Sequence, residues 1–278
     1  MKREIKKIVT GKETSDGAGV RLTRVLSRPD VYDFDPFLML DAFDSTNPND
    51  YIRGFPWHPH RGIETITYLI NGDIEHGDSL GNSGSIQDGC SQWMTAGSGI
   101  IHQEMPRPAP HMLGVQLWLN MPARHKMAPP KYRDIRPAMI PKVIEKEYTV
   151  SVISGSFDGV PGAVQCDYAQ AAFLDINIEP DATLSMETNP EDTVFAYIIR
   201  GEGIFGTSKE ITPSKQAVLF GPGSRLNISA GPSGIQLLLL SGKPLGEPIA
   251  WGGPIVMNTQ DELELAFREL DEGTFIKG

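Results

Sequence analysis

Apolar positions along the chain fall in short runs, several of them alternating with polar ones, and turn-forming residues separate the runs. Residues 64–70 (ETITYLI), 91–96 (SQWMTA), 115–121 (VQLWLNM), 148–153 (YTVSVI), 172–178 (AFLDINI), 193–199 (TVFAYII), 217–220 (AVLF) and 235–240 (IQLLLL) each read as a strand. Helical spacing is confined to residues 259–273. There Leu263, Ala266, Phe267 and Leu270 recur on one face, Thr259 and Glu262 match a capping box, and Gly273 stops the run. The pattern predicts an all-β protein of barrels or sandwiches with one short C-terminal helix. The 29 Gly and 22 Pro fit this reading, because many short strands need many turns.

The strand pattern occurs twice. Tyr68-Leu-Ile-Asn-Gly72-Asp73 resembles Tyr197-Ile-Ile-Arg-Gly201-Glu202, and Gly114-Val-Gln-Leu-Trp-Leu119 resembles Gly234-Ile-Gln-Leu-Leu-Leu239. A Gly-rich turn lies inside each pair, TAGSG at 95–99 and FGPGS at 220–224. Three matches in the same order predict two tandem copies of one β-barrel, about 1–130 and 145–278, with the terminal helix in the second. Between them the Pro-rich stretch MAPPKYRDIRPAMIP (127–141) suits a stiff linker better than a strand.

Charge and cysteine content narrow the function. A net charge of −10 disfavours direct nucleic-acid binding, and the short basic start MKREIKK reads as a solvated end. Cys90 and Cys166 have no CxxC partner and suggest neither a disulfide framework nor a zinc knuckle. No run approaches the roughly 18 apolar residues of a membrane span, and the basic start lacks a signal-peptide apolar region. The cytoplasm is the expected location.

The chemistry concentrates in the first copy, which holds all six histidines (58, 60, 76, 102, 111 and 125). Aligned through the tyrosine segments, Glu187 and Asn189 of the second copy take the places of His58 and His60. In a strand, residues i and i+2 share a face, so His58 and His60 converge from one strand and His102 and Glu104 from another. Imidazole and carboxylate suit Fe(II), Mn, Ni, Cu or Zn, and four protein ligands leave two positions of an octahedral ion open. Pro59 cannot donate in a ladder and implies an edge or a bulge. Glu64 is expected to orient a histidine, or to ligate in a variant geometry. Phe55, Trp57, Trp93 and Met94 flank the ligands as candidate pocket walls for a flat substrate, ordinary core packing being the competing reading. His76 sits before the turn GDSLGN and reads as exposed; His111 and His125 read as solvated, and Cys90 as a small buried residue.

The stretch HPHRGIETITYLINGDIEHGDSLGNSGSIQDGCSQWMTAGSGIIHQEMP closely resembles the signature of the pirin family within the cupin superfamily, and GKPLGEPIAWGGPIVMNT with the terminal helix is similar to that family's C-terminal region. Where many relatives read GDxQW, this chain has Gly89-Cys90-Ser91-Gln92-Trp93. The resemblance implies a bicupin with one mononuclear metal, usually iron, in the N-terminal barrel, held by His58, His60, His102 and Glu104. It further implies a metal-dependent dioxygenase of the quercetin 2,3-dioxygenase type acting on a flavonol, with Glu104 as ligand and proton acceptor. The alternative it carries is a redox-sensitive iron protein that binds a transcription factor or a metabolic enzyme.

Overall fold

The computed structural model describes residues 1–277. Among the described residues the regular structure is mostly antiparallel β, in two compact units, with one α-helix, Gln260–Asp271, capped by the Thr259–Glu262 box. The sheets are jelly-roll-like rather than fully closed barrels.

The histidine-bearing unit comprises residues 12–28, 37–137 and the chain from Leu245 onward. One seven-stranded sheet runs in the order Lys131–Ile135, Ser91–Thr95, Ile63–Asn71, Met112–Asn120, Phe37–Ser45, Val20–Leu26, Lys12–Asp16. A four-stranded sheet contains Phe55–His60, Ile100–Pro106, Ile74–Asp78 and Ser83–Ile86, in that order. Phe55–His60 lies at its edge, so the missing N–H of Pro59 removes no internal ladder bond. The expected linker is not all linker. Lys131–Ile135 pairs with Ser91–Thr95, its prolines falling just outside the paired residues, where no donor is lost.

The other unit comprises residues 1–11, 29–36 and 138–244. Its main sheet runs Ile5–Thr10, Gln216–Phe220, Thr193–Phe205, Arg225–Gly242, Ala171–Ile178, Tyr148–Ser154, Lys142–Ile144, and Thr183–Glu187 pairs with the first part of Arg225–Gly242. Its interior is one apolar cluster that includes Val150, Leu174, Phe205, Leu226 and Leu237.

These bounds differ from the expected 1–130 and 145–278 at both ends. Ile5–Thr10 covers the exposed ladder of Gln216–Phe220, which would otherwise be a bare edge. The terminal helix buries Leu263 and Ala266 against Ile255, Met257 and Phe275, inside the histidine-bearing unit. Its stripe therefore covers apolar surface of the first repeat, not the second.

Candidate metal centre

Strand alternation and pairing assemble the site. His58 lies directly opposite His102 in the antiparallel pair, and His60 opposite Ile100. In Ile100–Pro106 burial alternates so that Ile100, His102, Glu104 and Pro106 point inward. The rings of His58, His60 and His102 lie 4.3–5.0 Å apart between centroids, and one ligating atom from each falls within 4.8 Å of the others.

The hydrogen bonds fix which nitrogens face the middle. His58 Nδ1 donates to the Pro56 carbonyl at 2.9 Å and His60 Nδ1 to the Pro254 carbonyl at 3.0 Å, since a carbonyl can only accept. A neutral ring with its proton on Nδ1 leaves a lone pair on Nε2. The two Nε2 atoms face each other at 3.1 Å. His102 is fully buried, and neither of its ring nitrogens has a hydrogen-bond partner. Converging lone pairs are costly unless a positive charge sits among them. On His60 and His102 a proton is a poor candidate. Burial, with His58 adding to it, pushes His60 down to about 3, and burial with the neighbouring histidines holds His102 well below the ordinary imidazole range. A divalent cation fits the donor set, and the carbonyls on the far nitrogens are the partners that metal-ligating histidines use.

Glu104 is buried on the same inward face as His102, two residues along. It stands outside the three-histidine group. Its Oε1 accepts from Thr67 Oγ1 at 3.0 Å and its Oε2 from Gln116 Nε2 at 2.7 Å. Gln116 reaches Glu104 from one side and lines the adjoining cavity with the other.

Glu64 does not orient a histidine. It lies three residues from Thr67 in Ile63–Asn71, so alternation turns it to the opposite face of the strand. There Thr95 Oγ1 donates to it at 2.6 Å across the strand pair, and burial raises its pKa against that hydrogen bond. Trp93, which sits opposite Ile66, shares this outer face, and Met94, opposite Thr65, is packed into the interior. Trp57 is 55% exposed. Of the four aromatic and sulfur candidates, Phe55 stands on the cavity wall.

His76 is buried, not exposed. It is in register with Glu104, its Nε2 donates to the Asp78 carboxylate at 3.1 Å, and its ring stacks on Tyr132 at 4.5 Å. Its ring lies 5.4 Å from that of His102. The turn begins only after Asp78, whose carboxylate caps it by accepting from the Leu80 and Asn82 amides. His111 is half-buried beside Asp44 at 2.8 Å, His125 is half-buried, and Cys90 and Cys166 are half-buried thiols outside any disulfide.

Two buried cations fasten the C-terminal segment behind the histidines. The Arg61 guanidinium donates to the Ser98 and Phe275 carbonyls at 2.7 and 2.8 Å, pairs with Glu269 at 2.8 Å and lies over the Phe275 ring. Lys126 Nζ donates to Gly62 O, Asn120 Oδ1 and Val256 O at 2.7–2.9 Å. Burial lowers Lys126 to about 7, yet three acceptors match the three protons of an ammonium and hold it in that form. Gly62 has a positive φ of 76°, and a Cβ there would collide with the Val256 carbonyl. The segment thus reaches His60 closely enough for Pro254 to accept its proton.

A cavity of about 820 Å³ opens from His58 and His60. Met39, Phe55, Trp118 and Trp251 supply apolar wall, while Arg24, Arg28, Asp16 and Asp41 supply charge. Sequence reasoning missed Thr67, Gln116, Trp118, Trp251 and Pro254. Of these, Gln116 could have been found as a polar residue inside the apolar strand VQLWLNM.

Two family models match the chain, Pirin over residues 19–119 and the Pirin C-terminal cupin domain over residues 173–276. A pirin-like protein of Caulobacter vibrioides is 42% identical over 98% of this chain and 99% of its own length. Pirin-1 of Arabidopsis thaliana is 38% identical over 95% of this chain and 92% of its own. The crystal structure of quercetin 2,3-dioxygenase from Acinetobacter baumannii superposes with a TM-score of 0.90 at 28% identity, covering 99% of each chain. With both halves matched and close relatives spanning its full length, the chain belongs to the pirin family.

Proposed function

We propose that this pirin is a metal-dependent dioxygenase acting on flavonol-like substrates, with one metal ion held by His58, His60, His102 and Glu104. The observation that carries the reading is the convergence of imidazole lone pairs, fixed by the carbonyls of Pro56 and Pro254, at the floor of a cavity large enough for a flat polycyclic molecule. Glu104 completes the set because each of its oxygens accepts one hydrogen bond and keeps a lone pair for a cation or a substrate proton. A divalent first-row ion, Fe(II) foremost, would supply Lewis acidity toward a chelating hydroxy-ketone and an electron path to dioxygen. The chain's own residues do the rest. Glu104, steadied by Gln116 and Thr67, takes the proton of the substrate hydroxyl. Trp118, Trp251, Phe55 and Met39 bind the ring faces and exclude water. The likeness to the Acinetobacter quercetin 2,3-dioxygenase supports the substrate class.

The test is to load the protein with Fe(II), Mn(II), Ni(II) or Cu(II) and follow flavonol absorbance together with oxygen uptake. Metal-dependent loss of flavonol with matching oxygen consumption is expected with at least one ion. Absence of turnover with all four would overturn the enzyme reading.

A further inference from the structure

A row of π systems leads from the histidines to the cavity mouth. His60 packs edge-on against Trp118 at 5.1 Å, Trp118 lies 5.8 Å from Trp251, and the Arg28 guanidinium sits over Trp251 at 5.4 Å. All four residues line the cavity. Trp251 is itself held, its indole N–H donating to the Gly253 carbonyl at 2.8 Å.

The two arginines of this cavity are in opposite states. Arg24 is spent, because its guanidinium contacts both oxygens of Asp41 at 2.9 and 2.7 Å and Asp16 at 2.6 Å. These bonds raise its pKa and leave it no free fork for a ligand. Arg28 is exposed, and among the described residues its guanidinium rests on the Trp251 face and pairs with no carboxylate. A cation stacked on an indole keeps its in-plane N–H donors pointing outward, which suits bidentate capture of an oxyanion.

Charge balance gives the same reading. A divalent ion among three neutral imidazoles and one carboxylate leaves one positive charge, which a deprotonated chelating oxygen cancels. Arg28, at the other end of the row, faces the ligand with a positive charge that touches no carboxylate, while Arg24 with Asp41 and Asp16 leaves one net negative charge on the same cavity wall. We infer that the pocket selects an aromatic ligand bearing an anionic group, a carboxylate, sulfonate or sulfate, at the end remote from its chelating oxygens, and that Arg28 is the residue that reads it. This rests on the cavity and metal reading above and adds the charge of the substrate to it.

The experiment compares quercetin with quercetin-5′-sulfonate by calorimetry on anaerobic Zn(II)-loaded protein, for wild type, Arg28→Gln and Arg28→Lys. Wild type should bind the sulfonate about five-fold more tightly, the value of one well-formed solvent-exposed ion pair. The preference should fall to within two-fold in Arg28→Gln, survive only in part in Arg28→Lys, whose ammonium keeps the charge but has no fork, and shrink as salt rises from 0.05 to 0.3 M. Equal binding of the two ligands by wild type, or a preference that persists in Arg28→Gln, overturns the inference while leaving the flavonol reading in place. If neither ligand binds, the flavonol reading fails and takes this one with it.

Discussion

Two strand pairs in this chain have the same layout and opposite interiors. In the histidine-bearing unit, Phe55–His60 pairs with Ile100–Pro106 just after the turn at 95–99, with His58 and His60 on the cavity wall and His102 and Glu104 on the buried face of their strand. In the other unit, Thr183–Glu187 pairs with the start of Arg225–Gly242 just after the turn at 220–224. It turns Leu184, Met186, Leu226 and Ile228 into an apolar cluster and leaves Ser185 bonded to Asn227 outside. Glu187, which the sequence alignment put in the place of His58, is 86% exposed on its side chain and faces Arg225. One pairing pattern therefore tolerates two solutions. An apolar interior is stable by packing alone, whereas a ring of imidazole lone pairs is stable only with a cation to bind them.

The largest effect that would break this comparison is a histidine placed in the apolar interior. Leu226→His should lower the stability of the protein by about 3 kcal/mol in urea unfolding, since the new imidazole has no partner there and added metal cannot supply one. A variant as stable as wild type would mean that this interior is less tightly packed than the cluster around Leu226 indicates. Next in size is Gln116→Leu, which leaves Glu104 Oε2 without its donor. It should weaken metal binding about ten-fold in a chelator competition while the fold persists. The smallest effect belongs to Glu64→Gln. Because Glu64 faces away from the histidines, this variant should bind metal within about two-fold of wild type; a loss as large as that of Gln116→Leu would place Glu64 functionally at the site after all.

How much of this was legible in the sequence depends on distance along the chain and on strand parity. His58, His60 and His102 were readable because i, i+2 spacing survives any register, and the edge position of Pro59 followed from its missing N–H. Parity within a longer strand was not readable. Nothing in ETITYLI says whether Glu64 or Thr67 faces the site, because both faces of that strand are buried. His76 was misread because the turn after it begins two residues later than composition suggests. The contribution of Pro254 to His60 spans 194 residues and depends on buried Arg61 and Lys126, whose partners are mostly backbone carbonyls that carry no sequence signal. The helix itself was legible from its capping box and stripe, but not the surface it covers.

The central claim is that the converging imidazoles exist to hold a cation. It is tested most directly by metal analysis and thermal unfolding of wild type and His102→Leu, each as isolated and after chelator treatment. Wild type should retain about one equivalent of a first-row divalent metal and His102→Leu almost none. After chelation the variant should be at least as stable as wild type, because leucine removes two unsatisfied nitrogens from a buried position. Full metal occupancy in His102→Leu would contradict the account.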